Sequence, residues 1–170
     1  STTHAIHRRI ENIKKLTSQL ILTYIELENE TNPWFGSKKC NEGWSIAEIL
    51  GSSNIELTAK QQLAHTVLST IENLHRSGII CLDLQPANLW IDIKSSNINF
   101  IDGSAAVEIK NVFSIKKDQS LLSVYYISPE LTGRIGATPD YRSDYYSYGV
   151  FLYELFCGKR PFSGNNAANI

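Results

Sequence analysis

The sequence predicts an α+β domain dominated by helices, and three observations support this. Apolar residues recur at helical spacing in three segments of the chain. Two short runs of β-forming residues flank the polar turn Lys94–Asn97, which is typical of a hairpin. The chain has 170 residues, 42% of them hydrophobic, which is enough for one buried core.

The first third of the chain predicts one helix and one strand. His4–Leu16 places apolar residues every three or four positions, as in an amphipathic helix. Leu20–Ile25 is rich in branched and aromatic residues and predicts a strand. Glu26–Gly43 is polar and broken by proline and glycine, so we expect a loop. Trp44–Leu50 then predicts one or two helical turns.

A longer helix and the hairpin follow. Thr58 and Gln61 match a capping box, and the apolar face after them predicts a helix that stops at Gly78. Leu89–Ile93 and Ile98–Ile101 alternate as the two strands of the hairpin.

The last third predicts an open loop and then a helix. Residues 103–123 contain scattered lysines and small polar residues, so we expect no regular structure there. The apolar helix that ends at Cys157 is predicted to be capped by Ser143 or Asp144, with Gly158 at its C-cap.

Charge and cysteine usage narrow the classes of function. Sixteen basic against seventeen acidic residues give a formal charge of −1, which argues against a nucleic-acid partner. Three widely spaced cysteines fit neither a disulfide framework nor a zinc site. The longest apolar stretch, Tyr145–Cys157, is shorter than the ~20 residues of a membrane span. With no signal-peptide pattern, we expect a cytoplasmic protein without a membrane span in this chain.

Three polar residues around the hairpin form a candidate site. Asn88 precedes the first strand and Asp102 follows the second, so a hairpin would bring them together. Amide and carboxylate oxygens suit Mg²⁺. Asp83, five residues before Asn88, could accept the proton of a hydroxyl that attacks phosphorus. Alternatively, Asp83 and Asn88 bond the loop backbone and Asp102 closes a turn.

Longer stretches of sequence resemble one family. His75–Leu89 resembles the catalytic loop of eukaryotic-type protein kinases with the helix end before it. Ile101–Ala106 is similar to the start of their activation segment, and Tyr126–Glu130 to its end. Asp144–Phe162 is similar to the central helix of their large lobe. The resemblance implies a protein-kinase-like fold with a helical large lobe, a short hairpin at the active site and a remnant of the small lobe.

The resemblance also implies boundaries. Residues 1–50 would form a partial small lobe and the hinge, and residues 51–170 the large lobe. The large lobe would contain a catalytic loop at 81–88, an activation segment at 102–130 and a central helix at 144–157. A glycine-rich loop and a strand lysine are missing before the first predicted helix, so we expect the chain to be an excerpt of a larger protein.

Roles carried over from the family concern ATP, Mg²⁺ and a protein substrate. Asp83 would be catalytic and orient the substrate hydroxyl. Asn88 and Asp102 would bind the nucleotide phosphates through Mg²⁺, as cofactor and metal ligands. Asp144 would bond the backbone of the catalytic loop.

Several positions depart from the family pattern. Cys81 and Leu82 replace histidine and arginine, and loss of the arginine argues against control by loop phosphorylation. Gln85 replaces a lysine that neutralises the phosphoryl group, which we expect to slow transfer by ~10²-fold. Gly103 replaces a packing phenylalanine, and Arg9 stands where a glutamate belongs.

A narrower resemblance concerns the end of the activation segment. Tyr126–Arg134 and Asp140–Asp144 look like the N-terminal serine/threonine kinase-like domain of hybrid sensor histidine kinases. This implies a multidomain, stress-sensing phosphorelay protein, with neighbouring signalling domains as partners. Two hypotheses stay open for the parent protein, namely an ATP-dependent kinase and a pseudokinase that docks partners without catalysis. We expect the isolated 170-residue chain to be inactive.

Overall fold

The computed structural model describes most of the chain from Glu42 onward and two short strands before it. The described residues are 24–27, 34–37, 42–52, 54–100, 105–114, 123–133 and 136–163. The predicted helix His4–Leu16 lies outside them, as do Arg9, Cys40, Asp102 and Gly103.

Two strands lie in the N-terminal part. β1 (Tyr24–Leu27) and β2 (Trp34–Ser37) pair antiparallel, with Tyr24 opposite Ser37. The prediction of a loop over Glu26–Gly43 is therefore wrong at β2. β2 lacks an alternating pattern, and its extended form is stabilised by backbone bonds to β1, which lies about ten residues earlier in sequence.

The predicted hairpin is confirmed and is part of a three-stranded antiparallel sheet. β3 (Gly43–Ser45) pairs with β5 (Leu89–Asp92), and β5 pairs with β6 (Ile98–Phe100). The turn is held by Asp92, which is 7% exposed. Its Oδ1 accepts hydrogen bonds from the backbone nitrogens of Lys94 and Ser95 at 2.9 and 2.8 Å.

Two helices follow β3. α1 (Ile46–Gly51) begins with a capping box that was not predicted. Ser45 Oγ accepts a hydrogen bond from Glu48 N, and Glu48 Oε2 accepts one from Ser45 N. α2 (Leu57–Arg76) starts one residue before Thr58, and its N-cap Glu56 makes no side-chain cap. The predicted box at Thr58 and Gln61 is therefore wrong, since Thr58 already lies inside the first turn.

The predicted open loop at 103–123 is wrong in part. β4 (Ile79–Ile80) follows α2 and pairs antiparallel with β7 (Val107–Glu108). A 3₁₀ helix at Ile109–Ser114 follows β7. A two-residue strand carries too little periodicity to be read from sequence, and β7 is extended because β4 supplies its partner.

The last helix, α3 (Arg142–Cys157), begins before both predicted caps. Ser143 and Asp144 lie in its first turn and are fully buried, so the capping prediction is wrong and both side chains face the interior. Gly158 ends the helix in the left-handed conformation at φ 68°, as predicted.

The main core lies between α2, α3 and the hairpin sheet. Its side chains come from elements that are far apart in sequence, and they include Ile46, Val67, Ile71, Leu84, Leu89, Phe151 and Leu155. Among the described residues, no helix is long and apolar enough to cross a membrane.

Candidate active site

Asp83 lies in the loop between β4 and β5, where its carboxylate is surrounded by amide donors. Gln85 Nε2 donates to both Asp83 oxygens at 3.0 Å. Asn88 Nδ2 donates to Asp83 Oδ2 at 2.6 Å. The backbone nitrogen of Ser123 lies 3.3 Å from Asp83 Oδ1 and ties a distant segment to the loop. The side chain is only partly buried, so its carboxylate can still meet an incoming hydroxyl.

Asn88 ends the 3₁₀ turn Pro86–Asn88, which directly precedes β5. Its Nδ2 also donates to the backbone oxygen of Asp83 at 3.1 Å. Asn88 therefore bonds the loop backbone, as the alternative interpretation predicted, and it also contacts the Asp83 side chain. Both contacts use Nδ2, and Asn88 Oδ1 accepts no hydrogen bond from any described residue. An amide oxygen left over in this way fits a Mg²⁺ ligand.

Asp102, the third predicted site residue, lies outside the described residues. The hairpin register is nevertheless clear up to Phe100, two residues before it. Leu89, which follows Asn88, pairs with Phe100, which is two residues before Asp102. The structure thus brings Asp83 and Asn88 together and sets the end of β6 beside Leu89.

Asp144 organises the loop that carries Asp83. Its two oxygens accept hydrogen bonds from the backbone nitrogens of Cys81 and Leu82, each at 2.8 Å. His75 Nε2 is also 2.8 Å from Asp144 Oδ2. Asp144 is fully buried, so these bonds are shielded from water. The role implied for Asp144, bonding the backbone of the catalytic loop, is confirmed.

His75, which bonds Asp144 and so supports the loop, was not predicted from the sequence. It is the next-to-last residue of α2 and has edge-to-face contacts with the rings of Tyr141 and Tyr145, with centroids 5.8 and 5.2 Å apart. Its position near a helix end, three residues before the stop signal Gly78, carried no sign of a buried partner on α3.

Leu82 has an unusual backbone conformation and an apolar environment. Its φ is 62°, a left-handed value that costs a branched residue about 1–2 kcal/mol. Its side chain is 4% exposed and packs with Ile80, Val112 and Leu131. At the position where the family has an arginine, apolar packing therefore joins the loop to the segments that carry Val112 and Leu131.

A groove of about 270 Å³ lies next to the loop, between α1 and α3. Its lining includes Gln85, Ala87, Tyr126 and Glu154. The Tyr126 hydroxyl donates to Glu154 Oε2. Burial, reinforced by this bond, raises the pKa of Tyr126 far above its usual value. Spacing in the sequence gave no sign of this pair, whose members are 28 residues apart.

The sequence of this chain is similar to known protein kinases. The sequence profile of one family, described as the protein kinase domain, matches residues 1–170. The serine/threonine-protein kinase PrkC of Bacillus subtilis is 28% identical over 165 residues, covering 96% of this chain and 25% of PrkC. CDPK-related kinase 7 of Arabidopsis thaliana is 28% identical, covering 97% of this chain and 29% of that protein.

Two further comparisons agree. The serine/threonine-protein kinase PknL of Mycobacterium tuberculosis is 35% identical over 108 residues, covering 61% of this chain and 25% of PknL. A chain of the yeast RNA Pol II CTD kinase CTDK-1 complex superposes with a TM-score of 0.72 at 22% identity, over 93% of this chain and 52% of that chain. The chain thus spans less than a third of each of these curated relatives. The predicted protein-kinase-like α+β fold is confirmed.

Proposed function

The chain belongs to the protein kinase domain family, and on that premise we propose that its parent protein transfers phosphate from ATP, with Mg²⁺, to a protein hydroxyl. Several of its relatives are named serine/threonine kinases, which favours a serine or threonine acceptor.

The contact between Asp83 and Asn88 carries this proposal. Asn88 Nδ2 is 2.6 Å from Asp83 Oδ2, so the proposed catalytic carboxylate and the metal-ligand candidate are in direct contact. Asp83 is placed to accept a hydrogen bond from the acceptor hydroxyl and to take its proton as the oxygen attacks phosphorus. Mg²⁺, when bound, neutralises the phosphate charge. Asn88 Oδ1 is the described atom suited to hold it.

Asp102 completes the proposed metal site. Two residues of chain reach at most about 7 Å, and Phe100 lies opposite Leu89 in the hairpin. This register supports a position for the Asp102 carboxylate near the Asn88 amide.

The pseudokinase alternative is favoured by Gln85. Its amide donates to both oxygens of Asp83, where the family's lysine would bring a positive charge to the phosphoryl group. A neutral amide stabilises the developing charge less than an ammonium does. Under this alternative the domain binds partners and does not transfer phosphate.

A finer assignment concerns the parent protein. The run Tyr126–Arg134 and the segment Asp140–Asp144 support the kinase-like domain of a hybrid sensor histidine kinase. A histidine-kinase core and sensor modules encoded after this segment would bear out a phosphorelay protein, and their absence would contradict it. The division into residues 1–50 and 51–170 stays a prediction, which limited proteolysis of the parent would test.

The main test uses the full-length parent protein with Mg²⁺ and ATP. We expect Mg²⁺-dependent thermal stabilisation by ATP, and its loss in Asp102→Ala. Asp140→Ala is the matched control, because Asp140 is a partly exposed aspartate outside the Asp83 loop whose carboxylate bonds Arg142. Transfer of labelled phosphate to a generic protein substrate should disappear in Asp83→Asn while ATP stabilisation remains. Stabilisation without transfer in the unaltered protein supports the pseudokinase, and no stabilisation at millimolar ATP rejects nucleotide binding.

A further inference from the structure

A polar groove with two positive charges lies just beyond the C-terminal end of α3. Its volume is about 560 Å³, and its walls include the rings of Tyr125 and Tyr153. Lys159, Arg160 and Ser163 also line it. This groove is separate from the one beside the catalytic loop, which is lined by Tyr126 and Glu154.

Its two cations lack ion pairs with the rest of the described chain. Most other described lysines and arginines do form one, namely Arg76, Lys94, Lys110 and Arg142. Glu154 is close in sequence, but its carboxylate accepts the Tyr126 hydroxyl and faces the other groove. The groove therefore has two positive charges that no described carboxylate neutralises by direct contact, although the chain has a formal charge of −1.

Arg160 is held in place by an aromatic ring. Its guanidinium carbon is 3.7 Å from the centroid of the Tyr125 ring. Stacking fixes the plane of the guanidinium and leaves its N–H groups to bind an anion in that plane. Because the side chain is already ordered, binding costs less conformational entropy.

The groove adjoins the catalytic carboxylate through a short piece of chain. Ser123 N is 3.3 Å from Asp83 Oδ1, and Tyr125 is two residues further along. Two residues reach at most about 7 Å, so a peptide that places a hydroxyl on Asp83 can also enter the groove.

We propose that this groove binds a phosphorylated side chain of the protein substrate, a few residues from the acceptor hydroxyl. A phosphate monoester carries nearly two negative charges at pH 7, which matches Lys159 and Arg160, whereas a carboxylate carries one. Three phosphate oxygens can use the guanidinium fork together with the ammonium and hydroxyl donors around it. The inference rests on the proposed function, since a groove beside Asp83 selects substrates only if phosphate is transferred there.

The test measures peptide binding to the full-length protein without nucleotide. Fluorescein-labelled alanine–glycine peptides carry one acceptor serine and, two to six residues to either side, phosphoserine, glutamate or serine. We expect the best phosphoserine peptide to bind at least about tenfold more tightly than its serine counterpart by anisotropy. Arg160→Gln and Lys159→Gln should each remove most of that preference. Lys60→Gln, a cation on α2 that does not line the groove, should leave it unchanged.

Each outcome decides one point. Equal binding of the phosphoserine and serine peptides overturns the proposal, and so does a preference that survives Arg160→Gln. A glutamate peptide that binds as tightly as the phosphoserine peptide overturns phosphate recognition in favour of carboxylate recognition. Lys159 and Arg160 are both exposed, so we expect their variants to fold normally. Unchanged melting temperatures would verify this. The peptide assay needs no ATP, so a full-length protein that prefers the phosphoserine peptide but transfers no phosphate rejects the proposed function and leaves only the groove's binding of a phosphate monoester standing.

Discussion

Replacing Asp144 with alanine should unfold the loop that carries Asp83 and Asn88 before it affects any other part of the site. The carboxylate is fully buried and accepts the backbone nitrogens of Cys81 and Leu82, each at 2.8 Å. Cys81 and Leu82 are themselves 3% and 4% exposed, so water cannot replace the lost acceptor without opening the loop. The variant therefore leaves two buried amides without the carboxylate that binds them.

The expected size of the effect follows from these contacts. Each buried donor left unsatisfied costs about 1–3 kcal/mol, which gives about 2–6 kcal/mol for the two amides. Relaxation of Leu82 from its left-handed conformation returns about 1–2 kcal/mol of that. We therefore expect Asp144→Ala to lower the free energy of unfolding by about 3 kcal/mol. His75, which loses its Nε2 partner, adds to the cost.

Urea unfolding of the full-length protein is the assay, with hydrogen exchange of the Cys81 and Leu82 amides as a local readout. Glu72→Ala is the control, because its surface ion pair with Arg76 on α2 is worth at most about 1 kcal/mol. Asp144→Asn keeps one acceptor oxygen and should lose about half as much, which preserves the test if the alanine variant does not fold. A loss no larger than that of the control, with both amides still protected, would refute the reasoning.

Three further predictions concern single contacts. Gln85→Lys should raise phosphate transfer by about 10²-fold over the unaltered protein, whereas Gln85→Ala should not; equal rates would show that charge at this position does not limit the reaction. The free energy of unfolding, measured by urea at a series of pH values, should fall less steeply above pH 10 in Tyr126→Phe than in the unaltered protein. The raised pKa of Tyr126 keeps it protonated when folded, so its contribution is complete below the unfolded value near 10 and is lost as pH rises further. A profile as steep as that of the unaltered protein would contradict this. Asp92→Ala should cost about 1–3 kcal/mol, measured by urea unfolding, because the turn amides at Lys94 and Ser95 lose their acceptor; Glu42→Ala, which removes only an exposed ion pair with Lys94, should cost at most about 1 kcal/mol.

Local patterns in the sequence were enough to predict α2, the end of α3 at Gly158 and the hairpin of β5 and β6. Each depends on interactions within a few residues, such as helical periodicity or a left-handed glycine. Motif order also predicted the kinase fold and placed Asp83 beside Asn88, because both lie within one short loop. The position of Asp102 stays a prediction.

Tertiary structure decided the features that join distant segments. β7 is extended only because β4 pairs with it, and Ser143 and Asp144 face inward because the rest of the fold covers the first turn of α3. The bonds from Cys81 and Leu82 to Asp144 span more than sixty residues, and no local pattern encodes such a pair. Residue types and their spacing along the chain were thus sufficient for the family and for the contact between Asp83 and Asn88. The contacts that hold the loop in place depend on burial and on bonding partners, such as Asp144, that come together only when the chain folds.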